Sequence, residues 1–386
     1  MNGRRETPGA AARAAFFRDR AAGFGVAGIG FLLALAVLAP LLANGKPLVL
    51  CAGGAWSCPF WRSFFAPESS EVLVEKVFNW VLLVLPLSLL AFAFPRRCRR
   101  AARIVLAAAA AIPFLLVSPR LDKQDYRRSA AGAEFVLFAP IACGPDEIVG
   151  APCAAPSREH WLGCDDIGRD LAARIIYGGR VSLAVGILST LIAMAIGVSV
   201  GMAAGYYRNW FDLTVMRLVE ILICFPTFLL LLILMSMLGD AKIGQSIPLV
   251  IAVIGLTGWL HPALLVRGEV LKQSAMPYIL SCMVSGVPDR RIMFRQLLPN
   301  ILPPVLISFT FAVAGAILGE SGLSFLGFGV QPPTASWGNL LRQAFDNPLA
   351  HWHLTLFPGL ALFLAVLSFN FTGEGLRRAF DAGGES

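Results

Sequence analysis

Charged residues are scarce in this chain of 386 residues. Asp, Glu, Lys and Arg make up 15% of it, whereas roughly a quarter of the residues are charged in a soluble domain. Hydrophobic residues make up 57% and fall into runs that can cross a bilayer, which takes about 20 residues of helix. The composition therefore excludes an ordinary soluble domain and predicts an all-α integral membrane protein. The net charge of +8 fits basic cytoplasmic loops, and no nucleic-acid partner is expected.

The motifs of several chemistries are also missing. The chain has no Gly-x-x-x-x-Gly-Lys-Ser/Thr phosphate-binding loop, so we do not expect it to hydrolyse ATP. It has no Cys-x-x-Cys pair, which argues against a zinc or redox site. Of its four histidines, His160, His351 and His353 stand next to tryptophan, which is typical of polar residues at a membrane interface. We therefore predict no enzyme activity, no cofactor and no bound metal.

The apolar runs predict eight membrane spans, three before a long polar segment and five after it. The predicted spans are Phe24–Ala43, Val77–Phe94, Ala101–Val117, Val181–Ala204, Leu213–Leu238, Ile247–Val266, Ile301–Leu318 and Leu354–Phe371. An N-terminus in the cytoplasm places more than half of the 32 Lys and Arg residues on that side, which favours two cytoplasmic termini. The first apolar run is too long for a signal peptide, so we expect an uncleaved helix.

Cysteine usage is compatible with this topology. Five of the eight cysteines fall in the predicted outer segments, including Cys51, Cys58, Cys143 and Cys153. Cys51 with Cys58, and Cys143 with Cys153, can each close a short loop in an oxidising compartment. The alternative is that these side chains stay free thiols, and the sequence leaves both open.

Small residues and proline predict how some helices pack. Gly197, Gly201 and Gly205 are spaced four apart on one helix face, and Gly315 and Gly319 repeat that spacing. Such spacing lets helix backbones approach closely in lipid, and packing within the chain is favoured over a dimer seam.

Single residues in two other spans allow further predictions. Pro226 is expected to kink the fifth span. Arg217 and Glu220, three apart on one helix face, are expected to pair with each other. The charges at Asp165, Asp166, Arg169 and Asp170 predict an interfacial amphipathic helix that leads into the fourth span.

The most distinctive stretch is a cationic insert at residues 267–300, between two apolar helices. Ile279–Val284 should be helical, Gly286 ends that helix, and Asp289–Leu298 resumes it with Arg290, Arg291 and Arg295. Pro299 marks the return to the membrane. From composition alone, a helix that docks in a partner's groove and a solvated basic loop are equally supported.

Four stretches carry a resemblance to a known family. They are LGCDDIGRDLAARIIYGGRVSL (162–183), FRQLLPNILPPVLI (294–307) with the insert before it, GESGLSFLGFGVQPPTASWGNLL (319–341) and LFPGLALFLAVLSFNFTGEGLRRAFD (356–381). From about His160 to Asp381 the chain resembles the permease subunits of ABC importers, and among them the second permease of the oligopeptide, dipeptide and nickel class. The resemblance implies the type I ABC importer bundle, with five core helices after three N-terminal ones.

The resemblance also implies a role for the insert. In the family this loop, here residues 267–298, holds a coupling helix that fits a cleft in the ATPase subunit. The matching positions here are Leu280, Ser281, Cys282, Gly286, Asp289, Arg290, Arg291 and Pro299. This chain departs from the family pattern, because Leu280-Ser281-Cys282 replaces Glu-Ala-Ala and Met283 replaces the following Arg. The departures remove charge from the contact surface.

The predicted organisation follows from these points. Residues 1–117 form an N-terminal region, 118–177 a periplasmic segment, 178–374 the permease domain and 375–386 a cytoplasmic tail. The family implies an inner-membrane location, a second homologous permease, two cytoplasmic ATPases, a solute-binding protein and lipid as partners. Peptides are the favoured substrate and nickel is an alternative. A non-transporting scaffold or sensor, and a secondary transporter that uses Glu220, are further hypotheses.

Overall fold

The computed structural model describes residues 15–52, 54–66, 72–90, 99–117, 126, 133–240 and 246–384. These residues are mostly helical, as predicted. The helices are α1 (Arg20–Leu42), α2 (Pro59–Phe65), α3 (Val72–Leu90), α4 (Arg99–Leu116), α5 (Leu171–Tyr207), α6 (Trp210–Ile223), α7 (Thr227–Asp240), α8 (Ile247–Thr257), α9 (Leu260–Ser274), α10 (Pro277–Val284), α11 (Asp289–Ile292), the π-helix Met293–Leu297, α12 (Leu298–Leu326), α13 (Trp337–Arg342) and α14 (Trp352–Gly384).

Three short strands, two after α1 and one after α4, form a small antiparallel sheet. Its strands are β1 (Val49–Ala52), β2 (Ala55–Ser57) and β3 (Phe135–Leu137), in the order β2-β1-β3. In the register, Cys51 stands opposite Trp56 on one side and Phe135 on the other. The sequence analysis did not predict this sheet, because its strands are too short to show an alternating pattern.

Five stretches of described helix are long and apolar enough to cross a membrane. They are α1, α5, α8 with α9, the run from Asp289 through α12, and α14. The bent pair α6 and α7 makes a sixth if it counts as one span. Two of the eight predicted spans correspond to α3 and α4. The first of them, Val77–Phe94, extends past α3 into residues 91–94, which lie outside the described residues. The apolar part of α4, Arg103–Phe114, is shorter than the ~20 residues that a bilayer requires.

The predicted fifth span is broken rather than continuous. Helices α6 and α7 meet at 87°, and the break lies just before Thr227. Pro226 cannot donate a backbone hydrogen bond, and its carbonyl oxygen instead accepts the N–H of Leu230 at 3.0 Å at the start of α7. The predicted kink at Pro226 is thus confirmed, and the bend is sharper than a kink inside one helix.

Two predicted boundaries are corrected. The predicted seventh span ended at Leu318, but α12 continues to Leu326 and Glu320 is fully buried in it. Ser324 donates to Glu320 Oε1 at 2.7 Å, so the carboxylate is held by a hydroxyl of its own helix. At the other end of the chain, α14 extends to Gly384, so the predicted tail at 375–386 is helical as far as the structure describes it.

The chain divides into two compact units. The first comprises Met1–Gly30, Val185–Gly329 and Leu362–Ser386. In it, the N-terminal part of α1 packs closely on α14, since a Cβ at Gly25 would lie 2.7 Å from the Ser368 carbonyl oxygen. Arg378 of α14 also pairs with Asp19 at 3.2 Å. Small residues here let two helix backbones come together.

The second unit comprises Phe31–Ala184 and Val330–Ala361. In it, Arg180 of α5 donates from Nε to the Ala36 carbonyl oxygen of α1 at 2.6 Å and from Nη2 to that of Val37 at 3.2 Å. Pro40 explains why Ala36 accepts, because a proline four residues later has no N–H for that carbonyl. A buried cation therefore satisfies a backbone acceptor that the proline leaves without its helical donor.

Candidate functional site

Helix α10 lies at the centre of the cationic insert. Proline at its first position, Pro277, suits a helix start because its missing N–H has no helical partner there anyway. The helix ends at a glycine turn, in which the N–H of Gly286 donates to the Met283 carbonyl and that of Val287 to the Cys282 carbonyl, at 3.0 and 3.1 Å. Gly286 has φ +68°, a left-handed conformation that favours glycine, so this residue sets where α10 stops.

One face of α10 is anchored in an apolar cluster of the first unit. Ile279 is fully buried, and Cys282 and Val287 pack against the same cluster. The other members come from α5, α9, α12 and the segment after the turn, and include Met202, Val266, Val270, Ile292, Met293 and Leu297. Because Ile279 belongs to the same cluster as these residues, α10 is packed onto the helices of the first unit.

An adjoining face of α10 carries an exposed apolar ridge, formed by Leu280, Met283 and Val284. Their exposed fractions are 48%, 40% and 89%. The spacing i, i+3, i+4 places the three side chains side by side on one helix face. A helix of eight residues is too short to cross a bilayer. The ridge is therefore not the lipid-facing side of a membrane span.

Basic residues flank the apolar ridge. Arg290, Arg291 and Arg295 are all exposed, on α11 and the π-helix that follows the glycine turn. Asp289 has a different role, because its Oδ1 accepts a hydrogen bond from Tyr206 Oη of α5 at 2.8 Å. The insert therefore presents an apolar centre with a cationic side, and Asp289 ties it to α5.

Hydrogen bonds hold the entry and exit of the insert together. Tyr278 Oη donates to Gln273 Oε1 at 2.8 Å and accepts from Asn300 Nδ2 at 2.9 Å. Arg267 of α9 forms a two-bonded ion pair with Asp212 of α6, at 2.6 and 2.8 Å. An arginine and a carboxylate joined by two hydrogen bonds are held in one relative orientation, and their charges are also paired. The insert is thus a braced element rather than a loose loop.

The predicted coupling residues fall into two groups. Leu280, Ser281, Gly286, Arg290, Arg291 and Pro299 are exposed on the insert. Cys282 points toward the apolar cluster and Asp289 bonds Tyr206, so neither lies in the exposed ridge. The resemblance already placed Met283 on the contact surface, but sequence reasoning did not single out Val284, although its spacing from Leu280 was the available signal. It also started the insert at Arg267, whereas α9 continues to Ser274.

The structure joins neither predicted disulfide, and Cys51, Cys58, Cys143 and Cys153 are all present as thiols. In the hairpin, Cys51 faces Trp56 rather than Cys58, which explains the absence of that bond. The Cys51 Sγ atom lies 3.7 Å from Glu134 Oε2. Burial, followed by the charge of Glu134, raises the pKa of the Cys51 thiol.

Cys143 and Cys153, the second predicted pair, lie in different surroundings. Cys143 lies beside His160 and Asp170, whereas Cys153 packs against a cluster that contains Leu171 and Leu354. The fifth outer cysteine, Cys164, is fully buried. Burial, then the charges of Asp170, Asp165 and Cys143, raise the pKa of the Cys164 thiol to about 11.

The acidic segment before α5 is a folded turn, not the predicted amphipathic helix. Asp165 Oδ1 accepts the N–H groups of Ile167 and Arg169 at 3.1 and 2.8 Å, and α5 begins only at Leu171. Asp165 Oδ2 also pairs with Arg169 and Arg174 at 2.6 and 3.2 Å. The carboxylate organises the turn because it accepts from backbone and side chains together.

Two other predictions about polar residues have opposite outcomes. Arg217 pairs with Glu220 at 2.7 Å, as predicted. His353 is not an interfacial residue: it is buried, and its Nε2 lies 3.3 Å from the Cys164 carbonyl oxygen. His160 is likewise drawn inward, with its Nδ1 2.8 Å from Asp170 Oδ2. Tryptophan neighbours alone did not identify these contacts.

Comparison with known proteins decides the family. Residues 197–383 match the model of the binding-protein-dependent transport system inner membrane component family. A glutathione transport system permease protein of Pectobacterium atrosepticum is 39% identical over 226 residues, which cover 58% of this chain and 73% of that protein. The chain belongs to this family of inner-membrane permeases. The resemblance inferred from the sequence is thereby confirmed.

Two further proteins are similar to this chain. A dipeptide transport system permease protein of Alkalihalophilus pseudofirmus is 38% identical over 251 residues, which cover 64% of this chain and 80% of that protein. Among solved structures, a chain of the MetNI methionine ABC transporter in inward-facing conformations matches with a TM-score of 0.42 and 18% identity, over 54% of this chain and 97% of that one.

Membership of the family has direct consequences. The permease is a multi-pass inner-membrane component of an ABC importer and is not itself an enzyme, since ATP hydrolysis belongs to separate subunits. Its partners include ATPase subunits and a solute-binding protein.

Proposed function

We propose that the permease receives the motion of two cytoplasmic ATPases through the apolar ridge Leu280, Met283 and Val284, and that small peptides are its substrate. The observation that carries the coupling proposal is the two-faced helix α10. Its ridge is exposed, whereas Ile279 on the other face is fully buried against helices of the bundle. A partner that grips the ridge therefore moves a body that is packed onto the spans.

The chemistry of the ridge defines the groove that fits it. An amphipathic helix binds by laying an apolar face into a hydrophobic groove. Where the family has Glu-Ala-Ala, this chain has Leu280-Ser281-Cys282. The matching cleft of the ATPase is therefore apolar, whereas the usual cleft would accept a carboxylate. The neighbouring Arg290, Arg291 and Arg295 favour an acidic rim on that cleft, because rim charges steer association and set register.

Orientation follows from the same charges. Three exposed arginines, Arg290, Arg291 and Arg295, lie close together on the insert, and short cytoplasmic loops carry an excess of basic residues. With the insert in the cytoplasm, we place both termini there too, and residues 118–177 in the periplasm. The permease domain then comprises residues 178–374, after an N-terminal region at residues 1–117.

A second homologous permease is proposed as the partner within the membrane. Gly315 and Gly319 of α12 form a small-residue face with no atom of the described residues within 4 Å of an added Cβ at either position. Large apolar side chains beside it are exposed, including Phe311 and Leu318. A face of this type is suited to close helix contact in lipid.

The substrate is proposed from the relatives. They are named as permeases for glutathione and for dipeptides, which are both small peptides. Nickel or another small solute is the alternative, and uptake of labelled peptides competed by other solutes would decide between them.

A charge on the ridge tests the coupling proposal. In the complex reconstituted with its ATPase and binding-protein partners, Val284→Asp should weaken capture of the ATPase by about tenfold or more and abolish substrate-stimulated hydrolysis. The expectation rests on the contribution of about 1.5–3 kcal/mol from a buried apolar side chain of this size, where 1.4 kcal/mol is tenfold in affinity. The measurements are co-purification of the ATPase and its hydrolysis rate.

Leu349→Asp is the matched control. Leu349 is 91% exposed and Val284 is 89% exposed, but Leu349 lies outside the insert and should leave ATPase capture unchanged. Gly286→Arg, which forces a side chain into a left-handed backbone, should reproduce the defect of Val284→Asp. If both insert variants keep full capture and stimulated hydrolysis, coupling does not use this ridge, and the scaffold or sensor hypothesis is favoured.

A further inference from the structure

Three chemically distinct side chains meet in the second unit, outside the coupling site. They are Cys143, His160 and Asp170, and one ligand atom from each lies within 4.8 Å of the other two. Cys143 and Asp170 are buried, and the side chain of His160 is 13% exposed. A thiol, an imidazole and a carboxylate in a shielded place form a donor set that needs a chemical explanation.

Local structure fixes the direction of the histidine and the acid. Asp170 caps α5, with its Oδ1 accepting the N–H of Ala173 at 2.9 Å, and this leaves Oδ2 for the Nδ1 atom of His160 at 2.8 Å. The His160 backbone is held too, since its N–H donates to Ser157 Oγ and its carbonyl accepts from Gly163. Both groups are therefore positioned before any ion binds.

A fourth donor lies next to the same ring. A Cβ added to Gly150 would lie 2.5 Å from Cys164 Sγ and 3.3 Å from His160 Nε2. Both atoms therefore border the space beside Gly150, and any larger residue at that position would fill it. An isolated bridge pairs Cys164 with Asp170, which keeps the second thiol near the acid.

These distances are compatible with zinc. Zn²⁺ binds Cys sulfur at about 2.3 Å and His nitrogen or carboxylate oxygen at about 2.0–2.2 Å, so its tetrahedral ligands are about 3.5 Å apart. Atoms within 4.8 Å of one another reach that geometry through small side-chain rotations. The mixed thiolate, imidazole and carboxylate set favours Zn²⁺ over Mg²⁺ or Ca²⁺, which prefer oxygen.

We propose that Cys143, His160 and Asp170 bind one Zn²⁺ ion, with Cys164 as the fourth ligand. Such a site links the segment after β3 to the turn before α5 and pins both. The sequence predicted no metal site because the ligands come from separate segments and form no Cys-x-x-Cys motif. The site does not depend on the coupling proposal.

Metal binding by the purified full-length chain tests the site. Tag-free protein in detergent, reduced and then stripped with a chelator, should bind about one Zn²⁺ per chain, as judged by calorimetry and by metal analysis after desalting. Cd²⁺ should give the ultraviolet charge-transfer band of a thiolate complex. Cys143→Ser should remove that band or halve it, and should weaken Zn²⁺ binding by more than the about 10- to 100-fold typical of an outer-shell change.

Cys58→Ser is the control, because Cys58 is an exposed thiol outside the cluster and should bind Zn²⁺ like the wild type. Equal melting temperatures of the metal-free wild type and the Cys143→Ser variant exclude a folding defect. His160→Gln gives a second ligand variant with the same expected loss. The proposal is overturned if the wild type does not bind Zn²⁺, if Cys143→Ser binds it equally well, or if mass analysis of the purified protein shows a Cys143–Cys164 disulfide.

Discussion

Two glycine faces in the first unit have the same spacing and opposite surroundings. On α5, Gly197 and Gly205 lie against α9, where added Cβ atoms would come within 2.6 Å of Pro262 Cβ and 2.9 Å of the Arg267 carbonyl oxygen. On α12, Gly315 and Gly319 have no described atom within 4 Å of such a Cβ. The α5 face is therefore filled by a helix of the same chain, whereas the α12 face is open among the described residues.

The rest of α12 shows why its glycine face is left over. Val313 and Ile317 are fully buried, and Ile317 packs against Gly186 of α5. One side of α12 is thus committed to the bundle, while Gly315 and the exposed Phe311 lie on another side. Spacing four apart identifies a helix face suited to close approach, but only the tertiary contacts show whether the same chain already covers it.

The largest expected effect is at the centre of the α5 face. Gly201→Leu should prevent stable folding, because the new Cβ would overlap the Ala263 carbonyl oxygen, a backbone atom that cannot rotate away. Overpacking a core costs about 1–3 kcal/mol even where side chains can yield, and here the backbone must separate. The measurement is the yield of monodisperse protein in detergent and its melting temperature.

Ser199→Leu provides the matched control on the same helix. Ser199 is exposed, so an equally large side chain there meets no backbone and should leave the yield near that of the wild type. A Gly201→Leu protein as stable as the wild type would show that α5 and α9 are not in close contact.

A substitution on the α12 face should affect folding less than Gly201→Leu does. Gly315→Leu should leave the isolated chain as stable as the wild type, since an added side chain meets open space among the described residues. It should nevertheless reduce co-purification with the second permease by about tenfold, equivalent to about 1.4 kcal/mol, because bulk holds two helices apart. Two-tag capture from membranes that contain both permeases measures this.

Loss of pairing must be separated from loss of folding. Gly268 of α9 is also open to an added Cβ but lies on a different helix, so Gly268→Leu should leave both stability and pairing intact. If Gly315→Leu pairs normally, the second permease uses a different surface of this chain.

The sequence predicted most of the helical architecture, because apolar runs are strong signals in lipid. Its errors came from places where tertiary contacts override local pattern. Glu320 was left outside the predicted seventh span, which ended at Leu318, yet it lies inside α12 and accepts a hydrogen bond from Ser324. Asp165 was assigned to a helix because charges there lie close in sequence, yet it folds the chain into a turn through backbone N–H groups.

The candidate coupling site was predictable in outline. Ile279–Val284 and Gly286 were placed correctly, since a helix and a glycine stop are local features. Which face of α10 is exposed depends on contacts with α5, α9 and α12, and these are far apart in sequence. For the same reason, the bond from Tyr206 to Asp289, across 83 residues, had no sequence signal.

The smallest and sharpest test applies the same conservative change to both glycine faces. Gly319→Ala should stabilise α12 by up to about 1 kcal/mol, because alanine loses less backbone entropy than glycine in a helix and nothing described opposes its Cβ. Gly205→Ala should instead lower stability, since its Cβ would lie 2.9 Å from both the Arg267 carbonyl oxygen and Val270 Cβ. Thermal unfolding of both variants in one detergent measures the sign of each change in stability.

The comparison depends on the sign of these changes and not on their size, because any general effect of alanine in a membrane helix shifts both proteins alike. Shifts of the same sign in both variants would mean that packing against α9 does not distinguish the two faces.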